Sequence, residues 1–124
     1  MRIFKTRPFA RFAAKEGIAD ATLGDAIRRA EAGLVDADLG GGVIKLRIAR
    51  PGQGKSGGFR SIVLFRRQAM AFFVYGFAKN DRDNIDRQEL KAFRLLAAEM
   101  PALNDKGLQM AIKNGTITEI EEHG

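Results

Sequence analysis

Residues 43–82 read VIKLRIARPGQGKSGGFRSIVLFRRQAMAFFVYGFAKNDR. Ile44, Leu46 and Ile48 alternate there with Lys45 and Arg47, the period of two that belongs to a strand with one buried face and one wet, cationic face. FRSIVLFR at 59–66 and MAFFVYGFAK at 70–79 are more continuously apolar, as strands covered on both faces are. The spacing therefore predicts three neighbouring strands of one sheet at 43–50, 59–66 and 70–79. The RRQA between the last two lacks Asn-Gly or Asp-Gly, so the sequence does not specify a two-residue hairpin there.

Charge is gathered in the same stretch. Lys45, Arg47, Arg50, Lys55, Arg60, Arg66, Arg67, Lys79 and Arg82 face the single acid Asp81, a balance of +8. That leaves twelve cations and fourteen acids, −2, for the other 84 residues. The overall +6 is thus one basic module on a nearly neutral scaffold, a distribution that points to a polyanion partner. The plain structural reading is that basic side chains protect sheet edges from pairing.

Working outward, RIFK at 2–5 fits a short edge strand, and Pro8 suits the first turn of a helix through PFARFAAKEG, ended by Gly17. Thr22 and Asp25 give a capping signature for a second helix whose stripe is Leu23, Ala26, Ile27 and Ala30, with Gly33 as its C′ residue. These helices, over 8–32, form an αα-hairpin to pack on the sheet. LVDADLGGG reads as a short strand or extended link ending in a turn. On the other side, Asp86 and Glu89 cap a helix over 86–99, with Ile85 and Leu90 as a hydrophobic staple and Leu90, Phe93, Ala97 and Met100 as its buried stripe. A weaker helix in NDKGLQMAIKNG precedes TITEI, a strand or a frayed tail. The predicted core is Ile27, Leu46, Ile48, Ile62, Leu64, Phe73, Leu90 and Phe93.

At 124 residues the chain is sized for one domain, 1–124, with a single core. No apolar run approaches the roughly 20 residues of a membrane span, so a soluble protein without a membrane partner is expected. MRIFKTRPFARF lacks the uninterrupted apolar region and small-residue cleavage site of a secretory signal, so the expected location is the cytoplasm. Zero cysteine removes disulfides, thiol catalysis and cysteine zinc sites. The one histidine, His123, leaves no imidazole cluster for a metal and no Ser/His/Asp arrangement. No metal and no cofactor are expected.

Two motifs compete. Ala49 to Ser56 satisfies a relaxed phosphate-loop pattern, but such a loop works by opening a helix at its Lys-Ser, and strand-like FRSIVLF follows instead. The better reading is a glycine-rich loop whose amides and Lys55 approach a phosphate backbone, or simply a connection using glycines for a turn or bulge. The second candidate is the set Arg60, Tyr75, Lys79 and Arg82 with Lys45 and Arg47, whose chemical tools are cationic. They suit stabilising a pentavalent phosphate during RNA cleavage by its own 2′-hydroxyl, and they suit passive RNA binding equally well.

GKSGGFR followed by YGFAKN, within a match over roughly residues 30–100, resembles the RelE/HigB family of bacterial toxin–antitoxin toxins. The resemblance implies a compact α/β (α+β) domain with a small, mainly antiparallel sheet and two packed N-terminal helices. It implies a metal-independent endoribonuclease cutting messenger RNA, in much of the family on the ribosome, and neutralised by a cognate HigA/RelB-like antitoxin. Arg60 falls on the recurrent active-site arginine, Lys79 on the basic position ending the next core strand, and Lys55 in the matched loop. Lys45, Arg47, Arg50, Lys55 and Arg82 are the expected RNA-binding set. Some branches place a tyrosine or histidine after that strand, and NDRDNIDRQELKAF has neither, which leaves the general acid or base unassigned. Tyr75 reads as core. The competing readings are a ParE-like toxin that binds a protein such as gyrase without cutting RNA, and a non-catalytic RNA-binding protein.

Overall fold

In the computed structural model, which describes residues 1–49, 58–79 and 84–121, the chain runs β1 (Arg2–Thr6), α1 (Arg7–Glu16), α2 (Asp20–Glu31), β2 (Ala37–Gly40), β3 (Val43–Ile48), β4 (Phe59–Arg66) and β5 (Met70–Ala78). It continues through α3 (Arg87–Glu99), a 3₁₀ turn at Met100–Ala102, α4 (Asp105–Lys113) and β6 (Ile117–Ile120). The strands form one sheet in the order β2-β3-β4-β5-β1-β6, antiparallel except where β1 pairs parallel with β5. This is the mixed α/β architecture with a mainly antiparallel sheet that the sequence implied. Arg50, Lys55, Arg82, His123 and the question of a helix beginning at Lys55 lie outside the described residues.

The three central strands form where the alternation placed them, with β3 ending at Ile48 and β5 at Ala78. Ile44, Leu46 and Ile48 point into a layer capped by α1 and α2, where Phe9, Leu23, Ile27 and Phe73 pack. The opposite sheet face collects Phe4, Val43, Ile62, Leu64 and Phe72 under α3 and α4. Two covered faces explain why six of the eight residues of β4 are buried. Six of the eight predicted core residues are fully buried; Leu90 and Phe93 are only half-buried, because α3 lies over the sheet with one flank open to water.

One irregularity redirects β5. Ile62 pairs with Tyr75 and Val63 with Phe73, so Val74 is an extra residue opposite none. Such a bulge reverses which face the following residues take. Tyr75 and Phe77 therefore join the α3 side, with Tyr75 packed 6.0 Å from the Phe93 ring centroid, consistent with the core role its sequence position suggested. Gly76 turns instead toward α1, where a Cβ would stand 2.4 Å from the Phe12 ring.

Several local expectations are corrected. Strand β1 is interior rather than an edge, because β6 pairs along its outer side. The α2 helix opens at Asp20 after an Ala19 N-cap, not at Thr22: Thr22 and Leu23 already donate to the Ala19 carbonyl, and no side chain caps the end. Both predicted glycine stops hold, with Gly17 and Gly33 left-handed at φ of 70° and 88°. After Gly33, Leu34 N–H reaches the Arg29 carbonyl and Gly33 N–H that of Ala30, the paired bonds of a Schellman end. The β4–β5 hairpin uses a three-residue loop, with Gln68 at φ 64° and its N–H held by the Glu31 carboxylate.

The capping box of α3 is complete: Asp86 accepts from Glu89 N–H at 2.8 Å and Glu89 from Asp86 N–H at 2.9 Å. Removing one side of it in Asp86→Ala should cost about 1 kcal/mol in urea unfolding, since an N-cap carboxylate satisfies an otherwise orphaned amide. An unchanged midpoint would show that α3 is held by packing alone.

At the β1–β6 edge, Arg2 donates twice to Glu119, at 2.9 and 3.0 Å. Those hydrogen bonds hold the Glu119 carboxyl below its usual 4.5. The stabilisation is thus present above that unfolded value and fades as pH falls through the folded one. Both side chains are more than a third exposed, so solvent screening keeps the contribution within about 1 kcal/mol. Glu119→Gln should flatten the acid limb of a stability-versus-pH curve below about 4.5; an identical limb would mean the pair contributes nothing.

Candidate nucleic-acid interface

The candidate site is built on the end of β3 and β4 nearest their connection. Arg47 is the register partner of Arg60, and Arg60 in turn is opposite Phe77; two residues along, Lys45 is opposite Ile62, and Ile62 in turn is opposite Tyr75. Residues directly opposite share a face, so Lys45, Arg47 and Arg60 stand together on the α3 side of the sheet. Like charges in this position repel, and an unneutralised guanidinium under a sheet-covering layer is costly.

Asp36, just before β2, resolves that conflict. Its N–H donates to the Lys45 carbonyl at 2.9 Å, which fixes its backbone beside β3. Its carboxylate then lies 3.4 Å from Arg60 Nε, 3.7 Å from Lys45 Nζ and 3.6 Å from an Arg47 nitrogen. Three cations share one anion, leaving a formal surplus of two positive charges. All three separations exceed the 2.7–2.9 Å or so of a tight charge-assisted hydrogen bond, so the carboxylate is suspended among the cations rather than committed to one.

Burial divides the set. The Arg60 side chain is 6% exposed, Lys45 14%, Asp36 19% and Arg47 46%. Lys45 was expected on a wet strand face and is instead enclosed, because Asp36 and the α3 layer cover that face. Among the described residues, Arg60 Nη1 is buried with no hydrogen-bond partner, an omission that ordinarily carries a penalty of about 1–3 kcal/mol or more. Lys79 is exposed and follows β5 two residues after Phe77, the register partner of Arg60. The fold therefore brings Lys45, Arg47 and Arg60 into one cluster and sets Lys79 at the neighbouring strand end. Arg50, Lys55 and Arg82 lie outside the described residues.

Two contributors escaped the sequence. Asp36 lies in the LVDADLGGG segment to which the sequence assigned no functional role, although Asp36-Ala-Asp38 preceding a strand with Lys45 and Arg47 is the charge pattern of a cross-strand pair. Arg29 of α2 donates to the Arg47 carbonyl at 3.4 Å and, with Ala26, Leu34, Asp36 and Arg47, lines a cleft of about 350 Å³ that reaches the cluster at Asp36 and Arg47. Nothing in the helical periodicity of α2 singles that arginine out. Among the described residues no three His, Cys, Asp or Glu side chains are grouped to hold a metal ion, and no helix is long and apolar enough to cross a membrane.

No curated protein matches the chain significantly. A family model does, over residues 1–120, and its description is the RelE toxin of the RelE/RelB toxin–antitoxin system. With a match spanning β1 to β6 and a sheet of the implied kind, the chain belongs to the RelE family of toxins, the partners of antitoxins.

Proposed function

We propose that this toxin is a metal-independent endoribonuclease that cuts messenger RNA on the ribosome and so inhibits translation. The observation that carries the reading is the Lys45/Arg47/Arg60 cluster, whose positive charge exceeds what Asp36 can neutralise and whose buried Arg60 Nη1 has no hydrogen-bond partner among the described residues. Such preorganised charge does most good where negative charge develops, on the phosphorane formed when a 2′-hydroxyl attacks the adjacent phosphate. In this mechanism the 2′-oxygen bonds to phosphorus, the 5′-oxygen departs, and the proton lost from one is regained by the other. Arg60 stabilises the phosphorane oxygens, and Lys79 assists proton transfer or balances charge at the strand end. Lys45 and Arg47, with Arg50, Lys55 and Arg82, hold the RNA backbone and set its salt dependence.

The proposed setting is the cytoplasm, where a HigA/RelB-like antitoxin encoded beside the toxin covers the basic face with acidic or apolar segments and associates quickly through charge. The test is mapping of message 5′ ends after brief induction of the toxin without its neighbouring gene. New ends within translated codons, absent from an Arg60→Ala strain, are the expected result. Growth arrest with intact messages would overturn the nuclease reading in favour of a protein target such as gyrase, and no growth arrest in any host would overturn the toxin role.

A further inference from the structure

We propose that the Asp36 carboxylate is a built-in stand-in for phosphate: it occupies an anion site formed by Lys45, Arg47 and Arg60, and a phosphate group displaces it. Only the identity of the natural phosphate, the RNA backbone, rests on the nuclease reading; the anion site itself stands on geometry.

Four observations converge on it. The carboxylate meets none of its three cations at the short distance of a tight charge-assisted hydrogen bond, its separations being 3.4 to 3.7 Å. A group held that loosely is displaced at little enthalpic loss, whereas a short bidentate pair would resist. The cluster carries three positive charges against the one Asp36 supplies, so cationic charge remains in excess whether the resident anion is the carboxylate or the singly charged phosphodiester of an RNA backbone. Arg60, with a side chain 6% exposed, carries a second nitrogen that finds no partner among the described residues, so the donor capacity present exceeds what the carboxylate uses. Access is provided on the exposed side, where Arg47 is 46% exposed and lines, with Arg29 and Asp36 itself, the cleft of about 350 Å³.

The device has a functional logic. Without an internal anion, the facing Arg47 and Arg60 and the adjacent Lys45 would repel one another and splay the strand ends. With it, the cations stay preorganised in the free protein, and an incoming phosphate meets a formed site rather than one it must assemble. The cost is competition, because every phosphate must outbid a resident carboxylate.

The experiment compares the melting of the full-length wild type and Asp36→Asn in a low-salt, phosphate-free buffer, then with added inorganic phosphate, and with chloride at equal ionic strength. Asn keeps the shape and removes the charge. The variant should melt several degrees below wild type, and phosphate should recover at least half of that loss while chloride recovers little, because ligand binding to the folded state stabilises it by mass action. A loss that phosphate repairs no better than chloride makes Asp36 a purely structural partner and overturns the proposal, as does a variant whose melting and phosphate response equal those of wild type.

If Asp36→Asn does not fold, the wild type decides. Phosphate titration followed by NMR at the Asp36 carboxyl carbon and the Arg47 and Arg60 Nε–H groups should move all three together and saturate, and a short RNA should compete for the same shifts. Shifts that never saturate, or that spare Asp36, overturn the stand-in. Since no arm measures cleavage, a protein that binds phosphate here yet never cuts message would keep this site and lose the nuclease reading.

Discussion

Arg60→Ala and Lys79→Ala should each slow message cleavage at saturating ribosomes by about 100-fold or more, the usual consequence of removing one donor aimed at a developing oxyanion. The two substitutions differ in what else they disturb. Lys79 is exposed just beyond β5, so its loss reads the chemistry with little effect on folding. Arg60 is 5% exposed in the third strand of the sheet, and its removal also leaves a void and releases one of three claims on Asp36. Melting of Arg60→Ala must therefore be compared with wild type before its rate is interpreted. Arg47→Ala provides the contrast: as a half-exposed backbone contact it should weaken association and reduce the salt slope by about one unit. Wild-type rates in folded Arg60→Ala and Lys79→Ala at saturation would sink the assignment, whatever the toxicity.

Gly58→Ala should destabilise the fold by about 1–3 kcal/mol and loosen the cluster with it. A Cβ at this position would stand 2.5 Å from the Ile48 carbonyl oxygen and 3.4 Å from its carbon. Those are backbone atoms, so no side-chain rotation relieves the contact and the strand ends must part. Ile48 and Phe59 are register partners next to the Arg47/Arg60 pair, which places the displacement one residue from the cations. The last glycine of the GKSGG motif thus has a local physical reason, the close approach of two backbones. Urea unfolding checks the stability, and phosphate-dependent melting checks the site; an unchanged unfolding midpoint would show that the strands can separate there at no cost.

Much of the fold was legible because its signals are local. Period-two alternation in residues 43–48 settles which side chains of β3 meet the core under α1 and α2, and the Asp86/Glu89 pair sets the start of α3, whatever the rest of the chain does. The paired GKSGGFR and YGFAKN motifs carried the family resemblance for the same reason, being contiguous. Where two signals were local but rivals existed, context chose: Thr22 and Asp25 satisfy a capping pattern, yet the N-cap is Ala19, directly after Ile18, which is buried in the core.

What the sequence alone determined is the sheet's central strands, the helices that cover it and the concentration of positive charge at 43–82. The tertiary structure alone decided how that charge is used. The bulge at Val74 sends Phe77 to the face of Arg60, and no residue in MAFFVYGFAK announces it, since an extra residue costs nothing until a partner strand exists. Pairing of β6 along β1 makes an expected edge interior, a choice between sequence-distant segments. Above all, Asp36 meets Lys45, Arg47 and Arg60 only because β2 folds back on β3 and β3 pairs with β4. Electrostatic partnership depends on distance in space, and distance in space is set by strand register, which no single stretch of the chain contains.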